Sequence, residues 1–265
     1  MEPAFFIYGI LNLTPDSFSD GGVFLNEEKA FGHIEAMIEA GANGIDIGAE
    51  STRPGSDPVE ADEQIRRLRS VLADFKSRFS VSLSLDTRSA DVAAFGIDHG
   101  VDVINDVSAL RGDQQMAKVV ADAKVPVILM HMHAEPKTMQ QSPNYDNPVE
   151  DISRFFKERI AFAQHHGIQS MILDPGIGFG KTLAHNLALL KHCDVFADLG
   201  FPLMMGVSRK SFIGQLSGAD VDARLGGSVA ANLFAMMQGV SYFRVHDVAE
   251  FKQAAMVFKA IMEVD

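Results

Sequence analysis

The stretch from Asp174 to Thr182, DPGIGFGKT, ends in the Gly-Lys-Thr sequence that closes many phosphate-binding loops. In the G-x-x-x-x-G-K-[ST] pattern of a P-loop, the first glycine lets backbone amides wrap a phosphate with no side chain in the way. Counted back from Gly180, that position holds Pro175, which has a fixed φ and no amide hydrogen to donate. The sequence therefore argues against an ATP-binding loop, and these glycines need another explanation.

Polar or charged residues end nearly every short apolar run along the chain. The runs are IYGILN, GIDIGAE, VSLSLD, VDVIND, PVILMH, SMILDPG, PLMMGVS and SYFRVHD. The residues at their ends are Asn12, Glu50, Asp86, Asn105, Asp106, His131, Asp174, Ser208, Arg244 and His246. A polar residue can simply end a strand, but this mixture of carboxylates, amides and cations favours a functional site if parallel strands end on one rim.

Segments with helical periodicity lie between the apolar runs. The clearest extends from Glu60 to Phe79, and its apolar face consists of Ile65, Leu68, Val71, Leu72 and Phe75. Helices are predicted to begin at Asn147-Pro148, a cap followed by proline, and at Asp247, with Glu250 in the capping-box position. Glycines that end helices just before the next run are predicted at Gly41, Gly100, Gly167, Gly200 and Gly239.

Eight strands alternating with helices match a single (β/α)8 TIM barrel, an α/β fold with its active site at the C-terminal ends of the strands. A doubly wound open sheet is the alternative, but it would have fewer strands. No linker rich in Pro, Gly or Ser and no shift in composition divides the chain. We therefore expect one domain over residues 1–265.

The composition excludes several classes of protein. A net charge of −12 argues against a general surface for nucleic acids or anionic membranes, so an anionic ligand must meet a local basic cluster. The single cysteine, Cys193, excludes an intramolecular disulfide framework. The N-terminal MEPAFFIYGILNL has no basic region ahead of it and is predicted to be a buried strand, and no apolar run is long enough for a membrane helix. We expect a cytoplasmic protein.

The motifs, taken in order, resemble those of dihydropteroate synthase, which joins a pterin to p-aminobenzoate in folate biosynthesis. They are GILNLTPDSFSDGG, IDIGAESTRPG, LSLDT, VINDVSAL, LMHM, DPGIGFGK, GVSRKSFIG and RVHDV, and they cover essentially the whole chain. The resemblance implies a transferase in which the aryl amine of p-aminobenzoate displaces pyrophosphate from hydroxymethyl-dihydropterin pyrophosphate. An aniline is a weak nucleophile, whereas the pterin methylene can bear positive charge, so ionisation before attack is physically reasonable.

The resemblance also implies roles for individual residues. It assigns pterin binding to Asp86, Asn105, Asp174 and Lys210. It assigns pyrophosphate binding to Asn12, Thr52, Arg53, Arg244 and His246. It assigns p-aminobenzoate binding to Thr52, Pro54, Phe179 and Ser211. The catalytic residues that it implies are Asp86, Lys210, Asp20 and Phe18.

Asn12 is also the implied ligand of Mg²⁺, because a carboxamide oxygen fits a hard cation that keeps most of its waters. Two loops, TPDSFSDGG and ESTRPG, are expected to close over the site. Sulfonamides mimic p-aminobenzoate and are expected to compete with it. The resemblance further implies a homodimer formed through barrel helices, although no apolar surface stripe in the sequence establishes one.

Two departures from the family pattern are Ala49, where a glycine is common, and His133-Ala134, where Gln-Gly is common. The second departure creates His131-Met132-His133, in which two histidines at a strand end could chelate zinc. A zinc hydrolase would need further ligands on other strands, and most other histidines lie in helical segments. A pterin-dependent methyltransferase domain and a non-catalytic pterin carrier are the remaining alternatives. The Arg244-His246 anion site and the SRKS sequence favour the synthase.

Overall fold

This computed structural model describes residues 5–14, 23–51, 55–134, 137–140 and 143–264. Strands and helices alternate along the chain, with a short 3-10 helix at Val221–Ala223. The strands are β1 (Phe6–Asn12), β2 (Gly44–Gly48), β3 (Ser82–Asp86), β4 (Val103–Asp106), β5 (Val127–Met130), β6 (Met171–Asp174), β7 (Met204–Met205) and β8 (Tyr242–Val245). The helices are α1 (Val23–Glu39), α2 (Ala61–Arg78), α3 (Ala90–Asp98), α4 (Met116–Ala123), α5 (Pro148–His165), α6 (Leu183–Lys191), α7 (Asp194–Ala197), α8 (Ser211–Ser217), α9 (Leu225–Met237) and α10 (Val248–Met262).

The eight strands form one parallel sheet in the order β6-β5-β4-β3-β2-β1-β8-β7. The two ends of this sheet meet at Leu173 of β6, whose amide donates to the Pro202 carbonyl at 2.9 Å. Leu173 also forms an isolated parallel bridge with Leu203, just before β7. Eight parallel strands in a nearly closed barrel, with helices between them, confirm the predicted TIM barrel.

Side chains alternate along each strand between the barrel interior and the surrounding helices. The interior cluster consists of Tyr8, Val103, Ile128, Ile172 and Met204. The intervening residues, such as Ile7, Ile104 and Leu173, belong to the larger core that includes the helices. Two residues further along the strands from Val103 and Ile172, the same alternation brings Asn105 and Asp174 into the interior at the carboxyl-terminal rim. The strand parity therefore places polar side chains at the mouth of the barrel.

The predicted helix boundaries are largely confirmed. Asn147 caps α5, since its Oδ1 accepts the amide of Val149 at 3.1 Å and that of Glu150 at 3.4 Å, and Pro148 is the first helical residue. All five glycines predicted to end helices have positive φ, between 82° and 97°. In α2 the predicted apolar face is buried apart from half-buried Ile65, and Gln64 is buried as well. None of the described helices is long and apolar enough to cross a bilayer.

The predicted capping box at Asp247 is wrong. α10 begins after Asp247, but the Asp247 side chain makes no capping hydrogen bond. Its carboxylate instead accepts from Arg209, with Nη2–Oδ1 at 2.5 Å and Nε–Oδ2 at 3.1 Å. Both partners of this bidentate pair are charged, whereas a cap would set the carboxylate against neutral backbone amides. It connects the segment after β7 with the segment after β8.

Candidate active site

Four polar side chains from four strands form one network at the carboxyl-terminal end of the barrel. Arg244 of β8 donates through Nε to Oδ2 of Asp46 at 2.5 Å and through Nη2 to Oδ2 of Asp86 at 3.2 Å. Nδ2 of Asn105 donates to the same Oδ2 of Asp46 at 3.2 Å. Asp46, Asp86 and Asn105 are all buried, and the Arg244 side chain is 21% exposed. The guanidinium group therefore bridges two buried carboxylates.

Two oxygen atoms of this network accept no hydrogen bond from any described residue. They are Oδ1 of Asp46 and Oδ1 of Asp86, and both are buried. Buried polar atoms in native proteins nearly always have a partner. Two neighbouring carboxylate oxygens of this kind are suited to accept N–H groups of a ligand or to face a positive charge.

The charges in the network influence one another. Burial raises the pKa of Asp86 to about 7, although the nearby Arg244 opposes the shift. Burial disfavours a charged Arg244, but the carboxylates of Asp46 and Asp86 outweigh that effect and raise its pKa. The cation is therefore secure, whereas the Asp86 carboxyl group changes its charge near neutral pH.

Asp174 and Lys210 lie on the opposite side of the mouth. Oδ1 of Asp174 accepts the Gly176 amide at 2.7 Å, and a Cβ added to Gly206 would stand 3.7 Å from its Oδ2. Burial raises the pKa of Asp174, while Lys210 and the Gly176 amide oppose this shift. Because Gly206 has no side chain, a flat ligand can approach the Asp174 carboxylate. Lys210 donates to the Ile177 carbonyl, and its Nζ lies 4.0 Å from the ring centre of Phe179.

Three of the predicted anion-binding residues lie at the neighbouring strands β1 and β8, which pair directly. Asn12 ends β1, Arg244 lies in β8, and His246 is the first residue after β8. Nδ1 of His246 is 3.0 Å from Oγ of Ser208, and the His246 amide donates to the same oxygen at 3.2 Å. Arg244 belongs to the network at the barrel mouth, and His246 follows β8 directly. Asn12 is half-buried at the end of β1. It pairs with Gly48 of β2, which pairs in turn with Asp86 of β3. This edge of the mouth combines two basic side chains with a carboxamide.

The loop of the DPGIGFGKT stretch contacts the His131-Met132-His133 segment. Nζ of Lys181 lies 3.0 Å from Nδ1 of His131, and both residues are buried. Burial lowers the pKa of His131, and the positive charges of Lys181 and Arg111 lower it further, so the imidazole is neutral. Among the described residues, no group of three His, Cys, Asp or Glu side chains could hold a metal ion. The Lys181 side chain is therefore turned into the protein rather than toward a phosphate.

The chain is similar in sequence to proteins of a known family. The sequence pattern of the family described as "Pterin binding enzyme" matches residues 8–246. Dihydropteroate synthase of Escherichia coli K12 is 43% identical over 258 residues, which cover 97% of this chain and 91% of that protein. The chain belongs to the dihydropteroate synthase family of pterin-binding enzymes. The family predicted from the motifs is therefore confirmed.

Solved dihydropteroate synthases have the same fold. The Yersinia pestis enzyme in complex with a sulfonamide drug has a TM-score of 0.93 and 43% identity, covering 98% of this chain and 95% of that chain. The Xanthomonas albilineans enzyme with 4-aminobenzoic acid has a TM-score of 0.92 and 41% identity, covering 98% and 94%.

Two predicted residues of the synthase site flank Lys210. The half-buried Phe179 faces its ammonium group, and the exposed Ser211 follows it in the chain as the first residue of α8. α8 has seven residues, so its N-terminus offers fewer aligned peptide dipoles than a long helix would. The p-aminobenzoate roles of Phe179 and Ser211 stay predictions.

Five other predicted residues of the synthase site lie outside the described residues. They are Phe18, Asp20, Thr52, Arg53 and Pro54. The remaining predicted residues come from β1, β3, β4, β6 and β8 and from the segments that follow β6, β7 and β8, and all lie on the carboxyl-terminal side of the barrel.

The motifs did not assign roles to Asp46 or Lys181. Asp46 lies in the middle of β2, inside the apolar run GIDIGAE rather than at its end. A carboxylate in the middle of a buried strand is itself a signal, because such a charge needs a partner. For Lys181, the failed P-loop pattern gave no indication that the lysine would be buried.

Proposed function

We propose that this barrel mouth condenses hydroxymethyl-dihydropterin pyrophosphate with p-aminobenzoate, giving dihydropteroate and pyrophosphate for folate biosynthesis. The observation that carries the proposal is the pair of buried Oδ1 atoms, on Asp46 and Asp86, to which no described residue donates. A pterin is a flat ring with several N–H groups, and its methylene becomes positive as pyrophosphate leaves. Membership of the family and the names of the relatives support this transferase reaction.

The pterin is held between the two sides of the mouth. Asp174 accepts from the amino group and the neighbouring ring N–H, which a carboxylate can do through two oxygens. Asn105, fixed by its bond to Asp46, contacts another edge of the ring, and Lys210 donates to the ring's acceptor atoms. Binding of the ring in one orientation aligns the methylene with the incoming amine.

The chemical step is an ionisation followed by attack. The bond between the methylene carbon and the pyrophosphate oxygen breaks, and the electron pair leaves with pyrophosphate. The ionised Asp86 carboxylate stabilises the pterin cation, because opposite charges attract strongly in a buried site. The amine nitrogen of p-aminobenzoate then donates its electron pair to the methylene and releases its proton to the solvent. Nothing is oxidised or reduced.

The leaving group needs cations in an acidic protein. Arg244 supplies a cation from β8, His246 adds an imidazole just after β8, and Asn12 adds a carboxamide from β1. Thr52 and Arg53 belong to this group by family resemblance. Arg244 is charged whether or not a ligand is bound, because two carboxylates raise its pKa above the ordinary value against the effect of burial.

A magnesium ion fits this edge of the mouth only if the substrate shares in holding it. Asn12 offers one carboxamide oxygen, and the described residues contain no cluster of three carboxylate, histidine or cysteine ligands. Mg²⁺ commonly keeps several waters and binds through few protein ligands plus substrate phosphates, which fits such a site. Bound there by Asn12 and pyrophosphate, the ion would neutralise charge on the leaving group.

The second substrate enters beside Lys210. Phe179 offers an aromatic face to the ring of p-aminobenzoate, and Ser211 offers a hydroxyl group to its carboxylate. Thr52, Pro54, Phe18 and Asp20 complete this pocket by family resemblance, on two loops that close once pyrophosphate is bound. Sulfonamides compete for the same space, a proposal supported by the drug complex of the Yersinia pestis relative.

Pyrophosphate release tests the function directly. Purified protein receives hydroxymethyl-dihydropterin pyrophosphate with and without p-aminobenzoate and Mg²⁺, and the product is identified by mass. We expect release that depends on both additions and yields dihydropteroate. Pterin binding without turnover would refute the synthase and favour a carrier, and transfer of a methyl group to a corrinoid would favour the methyltransferase alternative.

We also propose a homodimer that forms over an apolar groove between α6, α8 and α9. The groove holds about 410 Å³ and is lined by Leu187, Leu190, Phe212, Ile213, Leu216 and Phe234. Leu216 is 58% exposed at this groove. An exposed apolar patch of this kind marks a surface that another apolar surface covers. Leu216→Glu should convert a dimer into a monomer in analytical ultracentrifugation. A wild-type monomer at micromolar concentration would refute the dimer.

A further inference from the structure

Lys181 is buried beneath the loop formed by the DPGIGFGKT stretch. Its exposed fraction is 3%, and its Nζ lies 2.9 Å from the carbonyl oxygen of Gly176, 3.0 Å from that of Phe179 and 3.2 Å from that of His131. The fourth neighbour is Nδ1 of His131, at 3.0 Å. An ammonium group has three hydrogens to donate, so these acceptors use all of them. The lysine is therefore a complete internal cross-link between the loop after β6 and the end of β5.

The acceptors around Nζ compensate for the burial of the Lys181 charge. Burial lowers its pKa well below that of an ordinary lysine, the nearby Lys210 lowers it further, and Asp174 opposes both. A buried cation is costly unless it is hydrogen-bonded. Three carbonyl groups and a neutral imidazole provide that compensation here.

Every carbonyl group from residue 176 to residue 180 accepts a hydrogen bond from a side chain. In the order of the carbonyls, the donors are Lys181, Lys210, Gln140, Lys181 and Tyr145. The Gly178 amide in turn donates to Oδ1 of Asn186 at 2.8 Å. No strand or helix includes these residues, so side chains take the place of a backbone ladder.

The glycines of this loop provide shape but not rigidity. Gly176, Gly178 and Gly180 have φ values of 64°, 85° and 65°, in the region that L side chains rarely adopt. A Cβ on Gly176 would stand 2.1 Å from the His131 carbonyl oxygen. Glycine allows this close approach, but it also gives the backbone access to many other conformations. The hydrogen bonds from side chains must therefore fix the loop, and Lys181 provides two of the five to its carbonyls.

The fixed loop presents Phe179 to the active site. Lys181 donates to the carbonyl of Phe179 itself and to that of Gly176, and the Gly176 oxygen also accepts the Phe179 amide at 3.1 Å. The ammonium group therefore fixes both hydrogen-bonded ends of the turn that carries the aromatic side chain. The Phe179 ring then lies against the Lys210 ammonium group, next to Ser211. A shift of about 1 Å in a positioning group can cost about 100-fold in rate.

We propose that Lys181 is a positioning residue for the p-aminobenzoate pocket, acting through the peptide groups that hold Phe179. It does not touch the substrate, since its hydrogen bonds are to carbonyl groups and His131. The inference rests on the proposed function, because it concerns the second substrate of that reaction. It also gives the Gly-Lys-Thr ending a role: the lysine that would bind phosphate in a P-loop here holds the loop itself.

Lys181→Met tests the inference, because methionine keeps the unbranched side chain except for its last atom and removes all three donors. The matched control is Lys157→Met, on the exposed face of α5. We expect Lys181→Met to raise the KM for p-aminobenzoate about tenfold or more, with the KM for the pterin pyrophosphate changed by less than about threefold. Lys157→Met should change neither constant. Calorimetric Kd values for a sulfonamide, measured with pyrophosphate present, should follow the KM for p-aminobenzoate.

A general loss of stability would look different. A lower melting temperature with an unchanged KM for p-aminobenzoate at an assay temperature where the variant is folded would overturn the proposal, as would equal rises in both KM values. If Lys181→Met does not fold, Gln140→Leu tests the proposal instead. Gln140 is exposed, and its side chain donates to the Gly178 carbonyl, so the substitution removes one hydrogen bond to the loop. We expect it to raise the KM for p-aminobenzoate several-fold, and no change would overturn the proposal.

Failure of the proposed function is a separate result. It would appear as a wild-type protein that does not couple pyrophosphate release to p-aminobenzoate. The sulfonamide calorimetry would still decide the role of Lys181, since it measures the shape of the pocket without turnover. Equal sulfonamide Kd values for the wild-type protein and the folded Lys181→Met variant would overturn the positioning role.

Discussion

Asp46→Asn should weaken the reaction with the pterin substrate by one to two orders of magnitude. Oδ2 of Asp46 accepts from Arg244 at 2.5 Å and from Asn105 at 3.2 Å, so the substitution removes the charge that orients both. A hydrogen bond involving a charged group contributes about 1.5–3 kcal/mol, which corresponds to about 10- to 150-fold. The asparagine oxygen can still accept one bond, so we expect the lower half of that range. The loss should appear in kcat/KM for hydroxymethyl-dihydropterin pyrophosphate.

A double-mutant cycle makes this prediction refutable. Arg244→Met and Asp46→Asn are measured singly and together by pyrophosphate release, with Asp74→Asn, a 49% exposed partner of Arg78, as the control. Because Asp46 acts partly through Arg244, the double variant should lose at least 1 kcal/mol less than the sum of the single losses, in the range of coupling found between contacting residues (about 0.5–3 kcal/mol). Losses that add within about 0.5 kcal/mol would show that the contact has no role in the reaction. So would an Asp46→Asn variant that loses less than about threefold.

Four further predictions concern the same mouth. Since burial raises the pKa of Asp86 to about 7 and its charged form stabilises the cation, kcat/KM should fall below pH 7, and Asp86→Asn should abolish that acid limb. Because the folded state favours the protonated form, Asp86 contributes stability that is fully present below its unfolded pKa of 3.8 and is lost as pH rises through 7. The free energy of unfolding, measured by chemical denaturation, should fall over that range in the wild-type protein and not in Asp86→Asn. Asp174→Asn should weaken pterin binding by about 1.5–3 kcal/mol in calorimetry, and unchanged affinity would remove Asp174 from the pocket. Arg244→Ala should weaken pyrophosphate more than p-aminobenzoate, and equal losses would contradict its role.

The barrel could be predicted because its signals are local. A glycine at φ above 80° after each of five helices, such as Gly41 and Gly239, reflects a steric rule that applies wherever the helix lies. The same holds for Asn147 and Pro148 at the start of α5. Asp247 shows the limit of such rules, because its carboxylate has a choice of partners. Whether it caps α10 or binds Arg209 depends on a residue 38 positions away, which no local pattern contains.

The contacts within the site could not be predicted for the same reason. The resemblance to a known family pointed to Asp86, Asn105, Asp174 and Arg244, but the sequence does not show that Arg244 reaches back 198 positions to Asp46. Lys181 is a stronger case. Its neighbours in sequence are those of a phosphate-binding lysine, and its acceptors are set by three glycines with positive φ that fold the backbone around it. The direction of the side chain follows from that tertiary arrangement rather than from the motif.

The position of Arg244 suggests how an acidic barrel separates charge during the reaction. Its guanidinium group contacts Asp46 and Asp86, the two carboxylates proposed to face the pterin. The residue itself lies on β8, at the proposed pyrophosphate site. As pyrophosphate binds, we expect some of the Arg244 donors to turn toward it, which leaves Asp86 with less compensation when the methylene becomes positive. The cation then supplies the compensation that Arg244 gave up. The ion pair between Arg244 and Asp86 is thus replaced by two, one between Arg244 and pyrophosphate and one between Asp86 and the pterin cation. This favours ionisation only while both products of bond cleavage remain in the mouth.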